Sequence, residues 1–109
     1  MKSIYFCSEK KIKIRFEKIK PFVNYCKVTG DKEFCNIITE YIPNNKVLDI
    51  IEYRKFFDKE FNDLIENIAL IVYDEISKTI QPSYLKVTVF LEGNQQLTDW
   101  SVTIDSNDF

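Results

Sequence analysis

No histidine occurs among the 109 residues, so any group that attacks an electrophile or moves a proton must be a cysteine, a carboxylate, a lysine or a tyrosine. That excludes Ser-His-Asp and Cys-His pairs, most zinc and iron sites, and histidine pH switching. Three cysteines remain, Cys7, Cys26 and Cys35. They cannot all pair within one chain, and their spacing fits no common zinc pattern, so reduced thiols and no metal are expected. A free cysteine also serves as a small buried hydrophobe. The second chemical signal is charge. Residues 1–20 carry seven Lys or Arg against two Glu, a net +5, while the rest of the chain is net −7. Lys11, Lys13 and Arg15, within the run Lys10 to Lys20, offer a track for nucleic-acid phosphates. The same charges equally suit the solvated face of a strand.

The elements that must position these groups are those of one domain. A 109-residue chain with 45% hydrophobic and 29% charged residues, two Gly and three Pro has the composition of a single folded core. No apolar run reaches the roughly 18 residues of a membrane helix and no export segment opens the chain, so a cytoplasmic protein is expected. From Lys11 to Glu17, Ile12, Ile14 and Phe16 alternate with charged residues, which predicts a half-buried strand. Glu33 to Ile42 predicts a second, with Cys35, Ile37, Thr39 and Tyr41 on one face, stopped by Pro43-Asn44-Asn45. Asp49 and Glu52 form a capping-box pattern at the start of a first helix, and Asp63 and Glu66 repeat it before a second. In that second helix Ile65, Ile68, Val72, Ile76 and Ile80 recur at helical spacing until Pro82. Alternation at Leu85 to Leu91 and at Trp100 to Ile104, with the polar segment Glu92 to Gln96 between, predicts a hairpin.

The expected fold is α+β, a four-stranded antiparallel sheet with two helices on one face in the order ββααββ. Such a sheet leaves two open edges. Closure by joining sheets from several copies predicts a homo-oligomer with sites at subunit boundaries.

Within this frame, Cys26-Lys27-Val28-Thr29-Gly30-Asp31-Lys32-Glu33-Phe34 resembles the nucleophile segment of the tunnel-fold nitrile reductase (QueF) family. There a cysteine precedes Pro-x-Thr-Gly, with an acid and Phe seven residues on. The similarity continues in Tyr41-Ile42-Pro43 and in Gln81-Pro82-Ser83-Tyr84-Leu85-Lys86-Val87-Thr88-Val89, covering about residues 22–104 of a single tunnel-fold domain, 1–109. The resemblance implies that Cys26 adds as thiolate to the nitrile carbon of 7-cyano-7-deazaguanine and that Glu33 protonates the nitrile nitrogen. A nitrile is a weak electrophile and needs both partners. Lys27 stands in place of the family's proline and Glu33 in place of its aspartate. Lys27 or helix-terminal amides would favour the thiolate.

The resemblance also bears on the cofactor and the substrate contacts. The family's NADPH-associated motif, acidic-Leu-Lys-Ser-x-Lys-x-Tyr, is matched by Asp49-Ile50-Ile51-Glu52-Tyr53-Arg54-Lys55-Phe56. A carboxylate at Glu52 would repel dinucleotide phosphates, so no cofactor is expected, with ammonia as co-substrate. The expected reaction is that of the QueF-like branch, which converts the cyano base in tRNA to the amidine of archaeosine, giving tRNA or another polynucleotide as partner. The alternatives are an NADPH-dependent reductase and a catalytically silent RNA-binding module. Where the family has Phe-His-Glu, this chain has Ile65-Glu66-Asn67. Glu66 and Asn67 are therefore the candidate substrate-binding residues, with Glu66 also suited to cap the helix with Asp63.

Overall fold

The computed structural model describes residues 1–17, 20–91 and 100–108. In chain order the elements are β1 (Ser3–Tyr5), β2 (Ile14–Phe16), β3 (Phe22–Tyr25), β4 (Lys32–Ile42), β5 (Lys46–Leu48), α1 (Ile50–Lys55), α2 (Ile65–Ile80), β6 (Tyr84–Leu91) and β7 (Ser101–Asp105). The α+β class and the antiparallel pairing agree with the sequence, but the strand count does not. The main sheet has five strands in the order β2-β4-β6-β7, with β3 also on β4, and β1 pairs with β5 in a second sheet.

The extra strands share one partner. β3 pairs with the first residues of β4, Phe22 opposite Cys35 and Asn24 opposite Glu33. β2 pairs farther along it, Ile14 opposite Tyr41 and Phe16 opposite Thr39. The strand expected over Lys11 to Glu17 is therefore short, Ile14–Phe16, and β3 pairs with β4 from Phe22 onward. β1 and β5 have three residues each, too few to show a period of two, and their pairing joins Ser3 to Leu48.

On β4, Glu33, Cys35, Ile37, Thr39 and Tyr41 are all buried, as alternation requires of one face covered by helices. Ile65, Ile68, Ala69, Val72, Ile76 and Ile80 of α2 are buried in the same core as Ile37, Val87 and Val89 of the sheet. Each such aliphatic contributes roughly 1.5–3 kcal/mol by leaving water. Gln81 closes α2 in a left-handed conformation at φ 43°, consistent with the exclusion of helical backbone before Pro82. Asp49 caps α1 as expected, its Oδ1 accepting from the backbone N–H of Ile51 at 2.9 Å and of Glu52 at 3.4 Å. The return bond of the capping box is not made, because Asp49 N–H donates to the Lys2 carbonyl at 3.0 Å.

The capping box expected at Asp63 and Glu66 is not formed. The N-cap of α2 is Leu64, which has no side-chain cap bond. Asp63 lies one residue earlier, and its Oδ1 accepts from Leu64 N–H at 2.7 Å and Asn67 Nδ2 at 3.0 Å. β6 and β7 form the expected hairpin, with Val87 opposite Ile104 and Val89 opposite Val102. Its connecting segment, Glu92 to Gln96, lies outside the described residues, as does Lys18.

Candidate active site

β3 and β4 are joined by residues 26–31, which wrap Cys26 in their own hydrogen bonds. Cys26 N–H donates to the Asp31 carbonyl at 2.8 Å, and Gly30 N–H to the Cys26 carbonyl at 2.7 Å. Asp31 N–H donates to Thr29 Oγ1 at 3.2 Å. Gly30 turns the chain at φ +77°, a conformation that strains any residue with a Cβ even though open space surrounds this one.

This loop holds the Cys26 thiol below its ordinary pKa. The Thr29 side chain is the main cause, followed by the backbone of Thr29 and Val28, and the Glu33 carboxylate opposes them. Donors aimed at sulfur favour its thiolate. The turn supplies this stabilisation in place of the expected Lys27 or helix-terminal amides. Lys27's charge instead helps to lower the Asp63 carboxyl, mainly after the Asn67 side chain and the Leu64 N–H. The other thiols differ. Cys35 is fully buried, and desolvation, then Glu33, pushes it up to about 12. Cys7 is exposed.

Glu33 is only 4% exposed. Across the β3–β4 pair, Asn24 Nδ2 donates to Glu33 Oε1 at 2.9 Å. Asn24 is itself fully buried, and it also donates to the Asp63 carbonyl at 2.9 Å while accepting from Asp63 N–H at 3.1 Å. The segment before α2 is laid on the same strand, since Tyr25 N–H donates to the Phe61 carbonyl at 2.8 Å and Phe61 N–H to the Val23 carbonyl at 2.9 Å. A hydrogen-bonded line thus runs from Glu33 through Asn24 and Asp63 to Asn67. Cys26 and Glu33 share one end of the β3–β4 pair, and Asn67 is tied to them. Glu66 is exposed and is absent from this line.

The basic candidates sit elsewhere. β2 pairs with β4 around Glu40, seven residues beyond Glu33 and about 23 Å along an extended strand. Lys13 Nζ lies 3.3 Å from Glu40 Oε2, and Arg15 is bound to both Glu17 and Glu40. Lys11 is exposed.

One feature escaped the sequence analysis. A cleft of about 480 Å³ beside β3 and α1 is lined by Lys20, Arg54, Lys55 and Lys59, with Asp58 as the acidic member and the nearly buried Phe22 and Phe57 in its wall. Four cations around one cleft suit a ligand with phosphates. Glu52 does not line this cleft. Its Oε1 lies 3.7 Å from Lys55 Nζ and 4.0 Å from Lys2 Nζ.

No family model matches the chain. Among solved structures, its backbone is similar to that of the archaeosine synthase QueF-Like, with a TM-score of 0.74 at 22% identity over 94% of this chain and 99% of that one. The chain is a tunnel-fold protein. A second tunnel-fold comparison, with a TM-score of 0.66, 14% identity and coverage of 88% and 97%, is a putative dihydroneopterin aldolase (FolB) from Vibrio cholerae. Curated relatives include the NADPH-dependent 7-cyano-7-deazaguanine reductases of Nitrosospira multiformis, 27% identical over 73 residues, and Nitratidesulfovibrio vulgaris, 26% over 68. A 55-residue stretch is 36% identical to part of a Dictyostelium discoideum protein named Taffazin. These matches span 52%, 41% and 19% of the relatives' lengths.

These relatives correct the expectation of no cofactor. The reductases that the tunnel-fold chain resembles are NADPH-dependent, and the charge argument against a dinucleotide fails in three dimensions. The Glu52 carboxylate is held between Lys2 and Lys55, and the cleft beside it is rich in cations.

Proposed function

We propose that this protein acts on the nitrile of 7-cyano-7-deazaguanine by covalent catalysis at Cys26, with NADPH as the reductant. The observation that carries the reading is the Cys26 loop, which lowers the thiol's pKa beside a buried carboxyl group. In the first step the Cys26 thiolate forms a bond to the nitrile carbon. One carbon–nitrogen π bond breaks toward nitrogen, and that nitrogen takes the proton of the Glu33 carboxylic acid, leaving a neutral thioimide and a Glu33 carboxylate. Burial of Glu33 keeps water from competing for that proton.

Reaching the aminomethyl product takes two hydrides and breaks the carbon–sulfur bond to return the Cys26 thiolate, so two molecules of NADPH, bound in succession, would supply the reducing equivalents. Lys20, Arg54, Lys55 and Lys59 would hold the phosphates of each. Asn67, exposed and tied to the Glu33 line through Asp63, would hydrogen-bond the base with its neutral amide group. RNA carrying the base is the proposed polynucleotide substrate. Lys11 supports it as an exposed cation, whereas Lys13 and Arg15 spend their charge on Glu40 and Glu17. Among the described residues β2 and β7 lie at the ends of the strand path with no further strand outside them, which supports assembly into a homo-oligomer.

Intact-mass spectrometry with the free nitrile base, or with RNA that carries it, tests the reading. A covalent adduct that vanishes in Cys26→Ala, and an aminomethyl product formed with NADPH oxidation, are expected. An adduct that yields amidine only with ammonium would replace the reductase by the reaction named for the archaeosine synthase it resembles. No adduct with either substrate would leave a silent binding module.

A further inference from the structure

We infer that Asn24 is the positioning residue for Glu33, setting which carboxyl oxygen keeps the proton consumed when Cys26 attacks; this rests on the roles proposed above for Cys26 and Glu33. Asparagine is depleted in strand interiors, yet Asn24 sits within β3, fully buried and directly opposite Glu33. A buried amide is costly unless its hydrogen bonds are made. Asn24 makes three, and they lock its orientation: Oδ1 must face the Asp63 N–H, so Nδ2 must face Glu33 Oε1 and the Asp63 carbonyl.

That fixed orientation has a chemical consequence. Of the two oxygens of a neutral carboxylic acid, the carbonyl oxygen is the better acceptor. An N–H donated to Oε1 therefore makes Oε1 the carbonyl and leaves the proton on Oε2. After transfer the same N–H stabilises the carboxylate that remains. Asn24 touches no reacting atom in this scheme and acts through Glu33.

The test measures the rate of Cys26 adduct formation against pH for wild type, Asn24→Leu, Asn24→Asp, Glu33→Gln and the Asn24→Leu/Glu33→Gln double variant, with thermal melting of each. Asn24→Leu removes both donors and should slow the adduct about 10- to 100-fold. In the Glu33→Gln background the same substitution should add no further loss. Asn24→Asp keeps the acceptor for Asp63 N–H and covers the case in which Asn24→Leu does not fold. It places a second carboxylate against Glu33, where a shared proton is held more tightly. The alkaline fall in rate should therefore move to higher pH, a change that loosening of the fold would not produce. Wild-type rates in both Asn24 variants, or an equal loss from Asn24→Leu with and without Glu33, overturn the inference. If the wild-type protein forms no adduct, the reading of Cys26 falls first and the role of Asn24 falls with it.

Discussion

Thr29, whose hydroxyl accepts from Asp31 N–H in the turn that joins β3 to β4, is the largest influence holding the Cys26 thiol below its usual pKa. Thr29→Val keeps the shape of the side chain and deletes the hydroxyl. The Cys26 pKa should rise, so the thiolate appears at higher pH and alkylation at neutral pH slows. Iodoacetamide labelling followed by peptide mass spectrometry over a pH series reads this directly. An unchanged profile would remove Thr29 from the account.

The three thiols should separate by reactivity. Desolvation pushes Cys35 up to about 12, so it carries almost no thiolate at neutral pH and lies beyond the reach of reagent. In the folded protein a disulfide reagent should modify Cys26 and Cys7 and spare Cys35 until denaturant is added, with Cys26→Ala removing the fast phase. Because the folded pKa of Cys35 is raised, its buried neutral thiol costs the fold nothing below the ordinary thiol pKa and weakens it in alkaline solution. The unfolded chain ionises near its ordinary value of about 8.5 and the folded one does not. Native stability should therefore fall as pH rises from about 8.5 toward 12, and Cys35→Ala should flatten that fall.

A hydroxyl pair fastens α1 to the central strand. Thr39 Oγ1 and Tyr53 Oη lie 2.7 Å apart, both fully buried. Tyr53→Phe leaves the Thr39 hydroxyl without its partner and should destabilise the fold by about 1–2 kcal/mol. Chemical denaturation measures the loss. The rate of Cys26 adduct formation should be unchanged, because Tyr53 lies six residues of β4 away from Glu33.

The cation-lined cleft gives a prediction that separates cofactor from covalent chemistry. Arg54→Ala or Lys20→Ala removes a charge facing the proposed phosphates. Each loss should raise the KM for NADPH about tenfold or more, the scale of one charge-assisted hydrogen bond. Adduct formation without NADPH should keep its wild-type rate. Steady-state kinetics and intact mass on the same preparation compare the two; parallel loss of both would place these residues elsewhere in the mechanism.

Much of the framework was legible along the chain. The inward residues of β4 and the buried stripe of α2 follow from periods of two and of about 3.6, which are local properties of a backbone with one face to cover. Cys26, Glu33 and the Thr29-Gly30 turn were legible too, because the turn that brings the strands together is itself contiguous. Asn24 was not singled out. A four-residue strand after Pro21 carries too little alternation to be seen, although a polar residue two positions before Cys26, facing inward once the turn is closed, was the available signal.

What the amino-acid order determined by itself is therefore what neighbours decide: the longer elements, Cys26 in its Thr29-Gly30 turn, and the absence of histidine chemistry. Tertiary structure decided what distant residues do together. It set Asn24 against Glu33 and Asp63, spent Lys13 and Arg15 on Glu40, and gathered Lys20, Arg54, Lys55 and Lys59 around one cleft. Charges and hydrogen bonds act through distance in space, and the spacing of residues along a chain sets that distance only within a turn or a single element.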